Sequence, residues 1–184
     1  MELKVSQIIE RAIKLYREGK LEESKRLYES VLEIQPTNFL ANNNLGNIFQ
    51  MYGRFGDAEE YYKKALKIKP EFSDVHNNLG VTLFRQNKYN EAVNSLSKAI
   101  ELKPDNEHCY NNLGNTLFHL GRLDEAEIKL EKAIELKPDY AEAYQNLGNT
   151  LQKLSRLEES KKSYKKAIEL NPDDEVSKHL LAAI

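Results

Sequence analysis

Neutral amide side chains recur at fixed intervals along this chain, and their hydrogen-bonding groups are the most conspicuous candidates for contact with a ligand. The phrase Asn-Asn-Leu-Gly, or a close variant, returns in four successive segments. A carboxamide carries two donors and two acceptor lone pairs, so it can bind the backbone N–H and C=O of an extended peptide whatever its side chains. The amides that share this pattern are Asn43, Asn44, Asn47, Asn77, Asn78, Asn111, Asn112, Asn115, Gln145, Asn146 and Asn149.

The interval between these phrases is a sequence repeat of 34 residues. All five prolines follow it, at positions 36, 70, 104, 138 and 172. Small residues hold other phases of the same repeat, including Gly46, Gly80, Gly114 and Gly148. Five copies follow from this register, and they span 5–38, 39–72, 73–106, 107–140 and 141–174.

Each copy contains two apolar patterns at helical spacing, separated by a glycine or a polar residue, as in the turn at Gly121. Proline follows the second pattern, and the residue before a proline is pushed out of the α region, so each second helix should end there. We expect Asp105, Asp139 and Asp173, directly after their prolines, to cap the next helix.

The period and its small, large and proline positions resemble the tetratricopeptide repeat. That resemblance covers 5–174 and implies an all-α, right-handed superhelical solenoid of five tandem helix–turn–helix units. Residues 175–184 are expected to add a short C-terminal capping helix. The whole of 1–184 is then predicted to form a single domain.

In this family the first helix of each repeat lines a concave groove, which implies that the amides line it here. They occupy the fifth, sixth and ninth positions of the repeats, three or four residues apart and therefore on one helical face. Phe84 and Phe118, at the twelfth position, are expected to add apolar anchors to the same groove. The sixth-position series is similar to the asparagine ladder in the tetratricopeptide arms of O-linked N-acetylglucosamine transferases; its members are Asn44, Asn78, Asn112 and Asn146.

Structural roles are the alternative for the same residues. The amides can serve contacts between adjacent helices, and each Phe can pack over the helix of the next repeat. One family function is argued against: the clamp that holds C-terminal carboxylates needs Lys at a fifth position and basic residues at the second and sixth positions of its third repeat. Here no fifth position is Lys and no sixth position is basic.

Composition excludes other functions. A formal net charge of -2 without a Lys/Arg run argues against nucleic acid, and the apolar runs are too short for membrane insertion. Cys109 is the only cysteine, which favours a cytoplasmic location. No catalytic motif is present, so we expect no enzyme, cofactor or metal site. Acidic pairs such as Glu59–Glu60 are expected to face solvent on the second helices.

The favoured interpretation is a protein–protein interaction module that binds an extended peptide segment in an asparagine-lined groove. A first alternative is the substrate-presenting arm of a larger glycosyl-, methyl- or sulfotransferase whose catalytic domain lies beyond Ile184. A second is an assembly scaffold that self-associates weakly through its ends, where Leu180, Leu181 and Ile184 are apolar.

Overall fold

The computed structural model describes residues 2–184, and within them the secondary structure is eleven α-helices without a strand. The all-α class and the helix–turn–helix pairs predicted from the repeat are confirmed. The helices are α1 Glu2–Arg17, α2 Leu21–Ile34, α3 Phe39–Met51, α4 Phe55–Ile68, α5 Ser73–Arg85, α6 Tyr89–Leu102, α7 Glu107–His119, α8 Leu123–Leu136, α9 Ala141–Lys153, α10 Leu157–Leu170 and α11 Glu175–Ala182.

The turn inside each helical pair depends on one residue with a left-handed backbone. This residue has a φ between 60° and 76° and stands at the same register in every pair; the five are Gly19, Gly53, Asn87, Gly121 and Ser155. Glycine adopts this conformation without steric cost, and asparagine tolerates it better than most residues. The separator expected from the sequence is therefore the residue that reverses the chain between the two helices.

Each second helix ends shortly before its proline, as predicted. The N-caps of the first helices differ from the prediction. Gln35, before Pro36, has an extended φ of -135°, so α2 stops one residue earlier. The side chains that cap first helices belong to Asn38, Asn106 and Asp174, one residue beyond the positions expected from the Asp series. The prediction of Asp105, Asp139 and Asp173 as caps is wrong, because a proline-initiated turn of two residues precedes each N-cap.

In three pairs, α3–α4, α7–α8 and α9–α10, a glycine of the first helix allows the second helix to approach closely. A Cβ added to Gly148 would lie 2.5 Å from Cε1 of Tyr164, and one added to Gly46 would lie 2.6 Å from Cε1 of Tyr62. The hydroxyl of Ser160 also donates to the carbonyl oxygen of Gly148 at 2.8 Å. Packing against the second helix thus explains the glycines at positions 46, 114 and 148.

The chain divides into two compact units, Met1–Asn87 and Lys88–Ile184. Unit 1 contains α1 to α5, and unit 2 contains α6 to α11, with α11 packed against α10 as the predicted cap. The boundary falls between the two helices of the third predicted repeat. A single domain over 1–184 stays a prediction.

Charged side chains on the second helices pair mostly along their own helix, as in Lys161–Glu158 at 3.1 Å. Arg156 is shared, since its guanidinium contacts Glu127 at 2.7 Å and Glu159 at 2.6 Å. Glu59 departs from the expectation of a solvent-facing pair. It is only 9% exposed, and one of its carboxylate oxygens accepts a hydrogen bond from Gln86 at 2.8 Å.

Candidate functional site

The predicted amides lie on first helices, α3 and α5 in unit 1 and α7 and α9 in unit 2, where most keep part of their surface in solvent. The half-buried members are Asn43, Asn44, Asn47, Asn77, Asn78, Asn112, Asn115, Gln145, Asn146 and Asn149. Both predicted aromatic anchors, Phe84 and Phe118, are half-buried as well. The predicted set therefore remains accessible with one exception, Asn111.

Asn111 is buried, with 1% of its surface exposed, and its side chain connects neighbouring repeats. Its amide nitrogen lies 3.2 Å from the hydroxyl of Tyr140 and 3.1 Å from a carboxylate oxygen of Glu142. Its oxygen accepts a hydrogen bond from Asn146 at 2.9 Å. The expectation that Asn111 faces a ligand is wrong in this structure, because contacts with the next repeat occupy its amide.

Two other fifth-position amides, Gln145 and Asn43, also differ from a row of side chains that all face a ligand. In unit 2, the Gln145 amide points toward the carboxylate of Asp174, with nitrogen–oxygen distances of 3.4 and 3.5 Å. In unit 1, the side-chain oxygen of Asn43 is buried without a hydrogen-bond partner among the described residues. Fifth-position amides in unit 2 thus reach toward the element that follows, as the packing alternative anticipated.

Sixth-position amides reach back toward the preceding first helix. The Asn78 nitrogen donates to the oxygen of Asn47 at 3.2 Å, which joins α5 to α3 in unit 1. Asn44 bonds within its own helix instead, donating to the carbonyl oxygen of Leu40 at 2.8 Å. These contacts order the amides, and the half-exposed surface of each stays available beside them.

Two ninth-position amides, Asn47 and Asn149, each belong to a hydrogen-bonded group of three side chains that was not predicted from the sequence. In unit 1 the buried Tyr62 hydroxyl lies 2.7 Å from the side-chain oxygen of Asn47 and 2.9 Å from that of Gln50. In unit 2 Tyr164 stands in the same relation to Asn149, at 2.8 Å, and to Gln152, at 3.1 Å. We call these groups the Tyr62 triad and the Tyr164 triad.

Each triad fixes the direction of its amides. Burial raises the pKa of Tyr62 and of Tyr164 above the ordinary value of a phenol, so both hydroxyls stay protonated at neutral pH. With their oxygens turned toward the hydroxyl, the two amides of a triad turn their NH₂ groups away from it. A signal for this existed in the sequence: Tyr at the twenty-fourth position coincides with Gln at the twelfth in repeats 2 and 5.

In the sequence, repeats 3 and 4 have apolar residues at the twelfth and twenty-fourth positions: Phe84 and Leu96 in repeat 3, and Phe118 and Leu130 in repeat 4. Phe118 packs against a cluster that contains Leu96, Leu113 and Leu117. It does not bury itself completely, because it also lines a pocket of about 300 Å³ in unit 2. Asn149, Gln152 and Lys153 complete the lining, so two predicted site residues meet there.

Lys153 gives this pocket its charge. Its side chain is exposed at the end of α9 and has no ion-pair partner in the part of the chain that the structure describes. The structure places it beside the amides of the Tyr164 triad.

Family models described as tetratricopeptide or TPR repeats match residues 40–72, 61–94, 82–121 and 105–173. The chain is a tetratricopeptide-repeat protein. Among curated protein sequences, none matches it significantly.

Solved structures agree with this family. A crystal structure of MamA protein is 27% identical, with a TM-score of 0.84 and 94% of each chain covered. YrrB, described as a TPR protein with an unusual peptide-binding site, is also 27% identical, with a TM-score of 0.81 over 94% of this chain and 89% of its own. PilF of Pseudomonas aeruginosa, at 24% identity and a TM-score of 0.84, covers 97% of this chain and 82% of its own, and it supports the fold alone.

Two further features, metal-ligand clusters and membrane-spanning helices, are absent among the described residues. Within residues 2–184, no group of three or more His, Cys, Asp or Glu side chains is arranged to hold a metal ion. No helix in the described part of the chain is long and apolar enough to cross a membrane. The features that remain are the half-exposed amides, Phe118 and the pocket beside it.

Proposed function

We propose that this tetratricopeptide protein is an interaction module that binds an extended peptide segment of a partner protein on the amide-bearing faces of its first helices. The observation that carries the proposal is the pair of tyrosine triads. In each, the tyrosine hydroxyl lies within hydrogen-bond distance of the side-chain oxygens of two amides, whose NH₂ groups donate to no other described residue. Such donors match the backbone carbonyl oxygens of a peptide.

Order in the amides matters for affinity. A flexible side chain loses rotamer entropy when it binds, which costs about 0.5–1.5 kcal/mol for each chain that becomes fixed. The triad amides and Asn78, which donates to Asn47, are already held by internal hydrogen bonds. Binding through them therefore carries a smaller entropic cost than binding through free surface amides.

The neutrality of these groups favours a peptide over a charged polymer. Amides bind donors and acceptors alike, and Asn44, Asn112 and Asn115 add further neutral groups to the same helices. A nucleic acid would require clustered Lys and Arg to neutralise its phosphates, and the net charge of -2 offers no such excess. The likeness to YrrB, a TPR protein with a peptide-binding site, supports the same class of partner.

The expected affinity is moderate. Each hydrogen bond nets about 0.5–1.5 kcal/mol, and the partial burial of Phe118 adds less than the roughly 1.5–3 kcal/mol of a fully buried side chain. Several such contacts, less the cost of ordering the peptide, reach about −8 kcal/mol, which corresponds to a micromolar complex.

A direct test starts from a randomised peptide library displayed on phage and selected on the whole chain. Recovered peptides are titrated by fluorescence anisotropy against the parent and against the Asn78→Ala/Asn112→Ala/Asn146→Ala variant. Loss of three hydrogen bonds should weaken binding about tenfold or more. Asn115→Ala is a gentler second variant, because the Asn115 amide bonds no other described residue.

The matched control is Asn90→Ala/Asn94→Ala, since both residues are exposed on the second helix α6. Circular dichroism first establishes that all variants are equally helical. Side-chain NH₂ resonances in ¹⁵N-labelled protein then locate the peptide. If the triple variant retains full affinity, or if only second-helix residues shift, the proposed surface is wrong.

A further inference from the structure

The pocket beside Phe118 is lined by two amides, one lysine and one aromatic ring. It lies in unit 2, has a volume of about 300 Å³, and is lined by Phe118, Asn149, Gln152 and Lys153. This volume suits one or two side chains of a bound peptide, far less than a whole partner domain.

The donors follow from the Tyr164 triad. The hydroxyl lies 2.8 Å from the side-chain oxygen of Asn149 and 3.1 Å from that of Gln152, so its one proton is donated to one of these two acceptors. Neither NH₂ group donates to another residue in 2–184, and each remains available to a ligand. The Lys153 ammonium adds three donors and no acceptor.

A carboxylate is the group that such a surface recognises. An ionised carboxylate only accepts hydrogen bonds, and it can take them from amide and ammonium donors at once. Hydrogen bonds to an ionised acceptor are roughly twice as strong as neutral ones. The exposed charge of Lys153, which forms no ion pair with any described residue, supplies the electrostatic complement.

Phe118 determines what should stand next to that carboxylate. One side of its ring rests on the cluster of Leu96, Leu113 and Leu117, while the rest remains half-exposed at the pocket. An apolar side chain adjacent to the acidic one could cover this ring and remove it from water.

We propose that this pocket binds an acidic side chain of a partner peptide, Glu or Asp, flanked by an apolar residue that packs on Phe118. The inference rests on the proposed peptide-binding function and names the chemistry that the peptide must carry. The corresponding residues of unit 1 are Tyr16, Asn47, Gln50 and Met51, which provide no cation, and the Tyr16 hydroxyl lies 3.3 Å from the Met51 sulfur. Unit 1 is therefore an internal control.

The test uses three pools of acetylated, C-amidated peptides with randomised flanks around a central Phe-Glu, Phe-Gln or Phe-Lys pair. Binding is measured for the parent and for Lys153→Glu, Lys153→Met and Phe118→Ala. The parent should retain the Phe-Glu pool about fivefold or more above the Phe-Gln pool. Lys153→Glu should reverse the order toward Phe-Lys, and Lys153→Met should abolish the preference.

Matched controls isolate the pocket. Lys165→Glu makes the same charge change at an exposed position on α10 and should leave the preference intact. In ¹⁵N spectra the Phe-Glu pool should shift the NH₂ signals of Asn149 and Gln152, while those of Asn47 and Gln50 respond equally to Phe-Glu and Phe-Gln. A Phe-Gln pool with a free C-terminal carboxylate tests whether a chain terminus is bound instead of a side chain.

The outcomes separate the two proposals. If every pool binds, and the triple asparagine variant weakens them all, equal binding of Phe-Glu and Phe-Gln overturns the acidic-residue inference alone. The same holds if Lys153→Glu keeps the parental preference, or if only the free terminus increases affinity. If no pool binds, both the peptide-binding function and this inference are overturned.

Discussion

The Tyr62 triad of unit 1 and the Tyr164 triad of unit 2 share the same hydrogen bonds but have different surroundings. The tyrosine hydroxyl lies 2.7 Å from the asparagine oxygen in unit 1 and 2.8 Å in unit 2. Phe118 and Lys153 line the pocket with the amides of the unit 2 triad, whereas the same repeat positions in unit 1 hold Tyr16 and Met51. A buried polar framework can thus be kept while two flanking residues decide the chemistry of the surface above it.

The largest change in unfolding free energy should come from adding a methyl group at the two glycines that pack against Tyr62 and Tyr164. Gly148→Ala and Gly46→Ala each place a Cβ within 2.6 Å of a buried ring, so we expect each to destabilise its unit by about 1–3 kcal/mol despite the better helix propensity of Ala. Urea unfolding followed by circular dichroism measures the change. Gly56→Ala, with no atom within 4 Å of its added Cβ, is the control and should be neutral or slightly stabilising.

Removing the hydroxyl of Tyr62 or of Tyr164 should distinguish an effect on protein stability from an effect on peptide preference. Tyr62→Phe and Tyr164→Phe each remove the one hydroxyl proton that a neighbouring amide oxygen accepts, and should cost about 0.5–1.5 kcal/mol in unfolding free energy. Only Tyr164→Phe should also weaken the preference for Phe-Glu peptides, because it releases the amides beside Lys153. Equal loss of that preference in both variants would contradict a role for the unit 2 pocket.

The turn residues offer a smaller contrast between the units. Gly53 and Ser155 occupy the same register with φ of 70° and 63°, but only Ser155 has a Cβ that the left-handed region penalises. Ser155→Gly should therefore stabilise unit 2 by about 1 kcal/mol, seen as a higher urea midpoint. Gly53→Ser is the reciprocal variant and should destabilise unit 1 by a similar amount; an unchanged midpoint in both would show that the turns are unstrained.

Tyr28 should show the smallest effect, because its buried hydroxyl has no hydrogen-bond partner among the described residues. Tyr28→Phe should be neutral or slightly stabilising at pH 7, unlike the other two tyrosine variants. Burial raises the pKa of Tyr28 to about 12, above its unfolded value of about 10. Deprotonation of Tyr28 therefore leaves the free energy of unfolding unchanged below about pH 10 and lowers it as the pH rises toward about 12.

Urea midpoints measured between neutral and alkaline pH test this dependence. The parent should lose stability through that window, and Tyr28→Phe should lose less of it. A variant that follows the parent curve without any difference would contradict the assignment to Tyr28.

The sequence predicted the helices well because the repeat places proline and small residues at the same register five times. It failed at the N-caps, where a cap such as Asn106 lies one residue beyond the expected Asp105. Helix ends depend on the geometry of the proline turn, and the position of an Asp does not reveal it.

The candidate site was predicted less completely. The amides lie on first helices as the repeat register places them, but burial of Asn111 depends on Tyr140 and Glu142, which lie about one repeat further along the chain. The triads were equally hidden, because Tyr164 meets Asn149 and Gln152 only after α10 packs against α9. Spacing shows which residues share a helix face, whereas partners across helices require the packed structure.

The coupling of the twelfth and twenty-fourth positions constrains how repeats can be exchanged or redesigned. Gln50 and Gln152 accompany a tyrosine, whereas Phe118 accompanies Leu130. A hybrid repeat that joined the phenylalanine of one type to the tyrosine of the other would leave a buried hydroxyl with one acceptor fewer. Shuffled or consensus-designed versions of this protein must therefore inherit the two positions together.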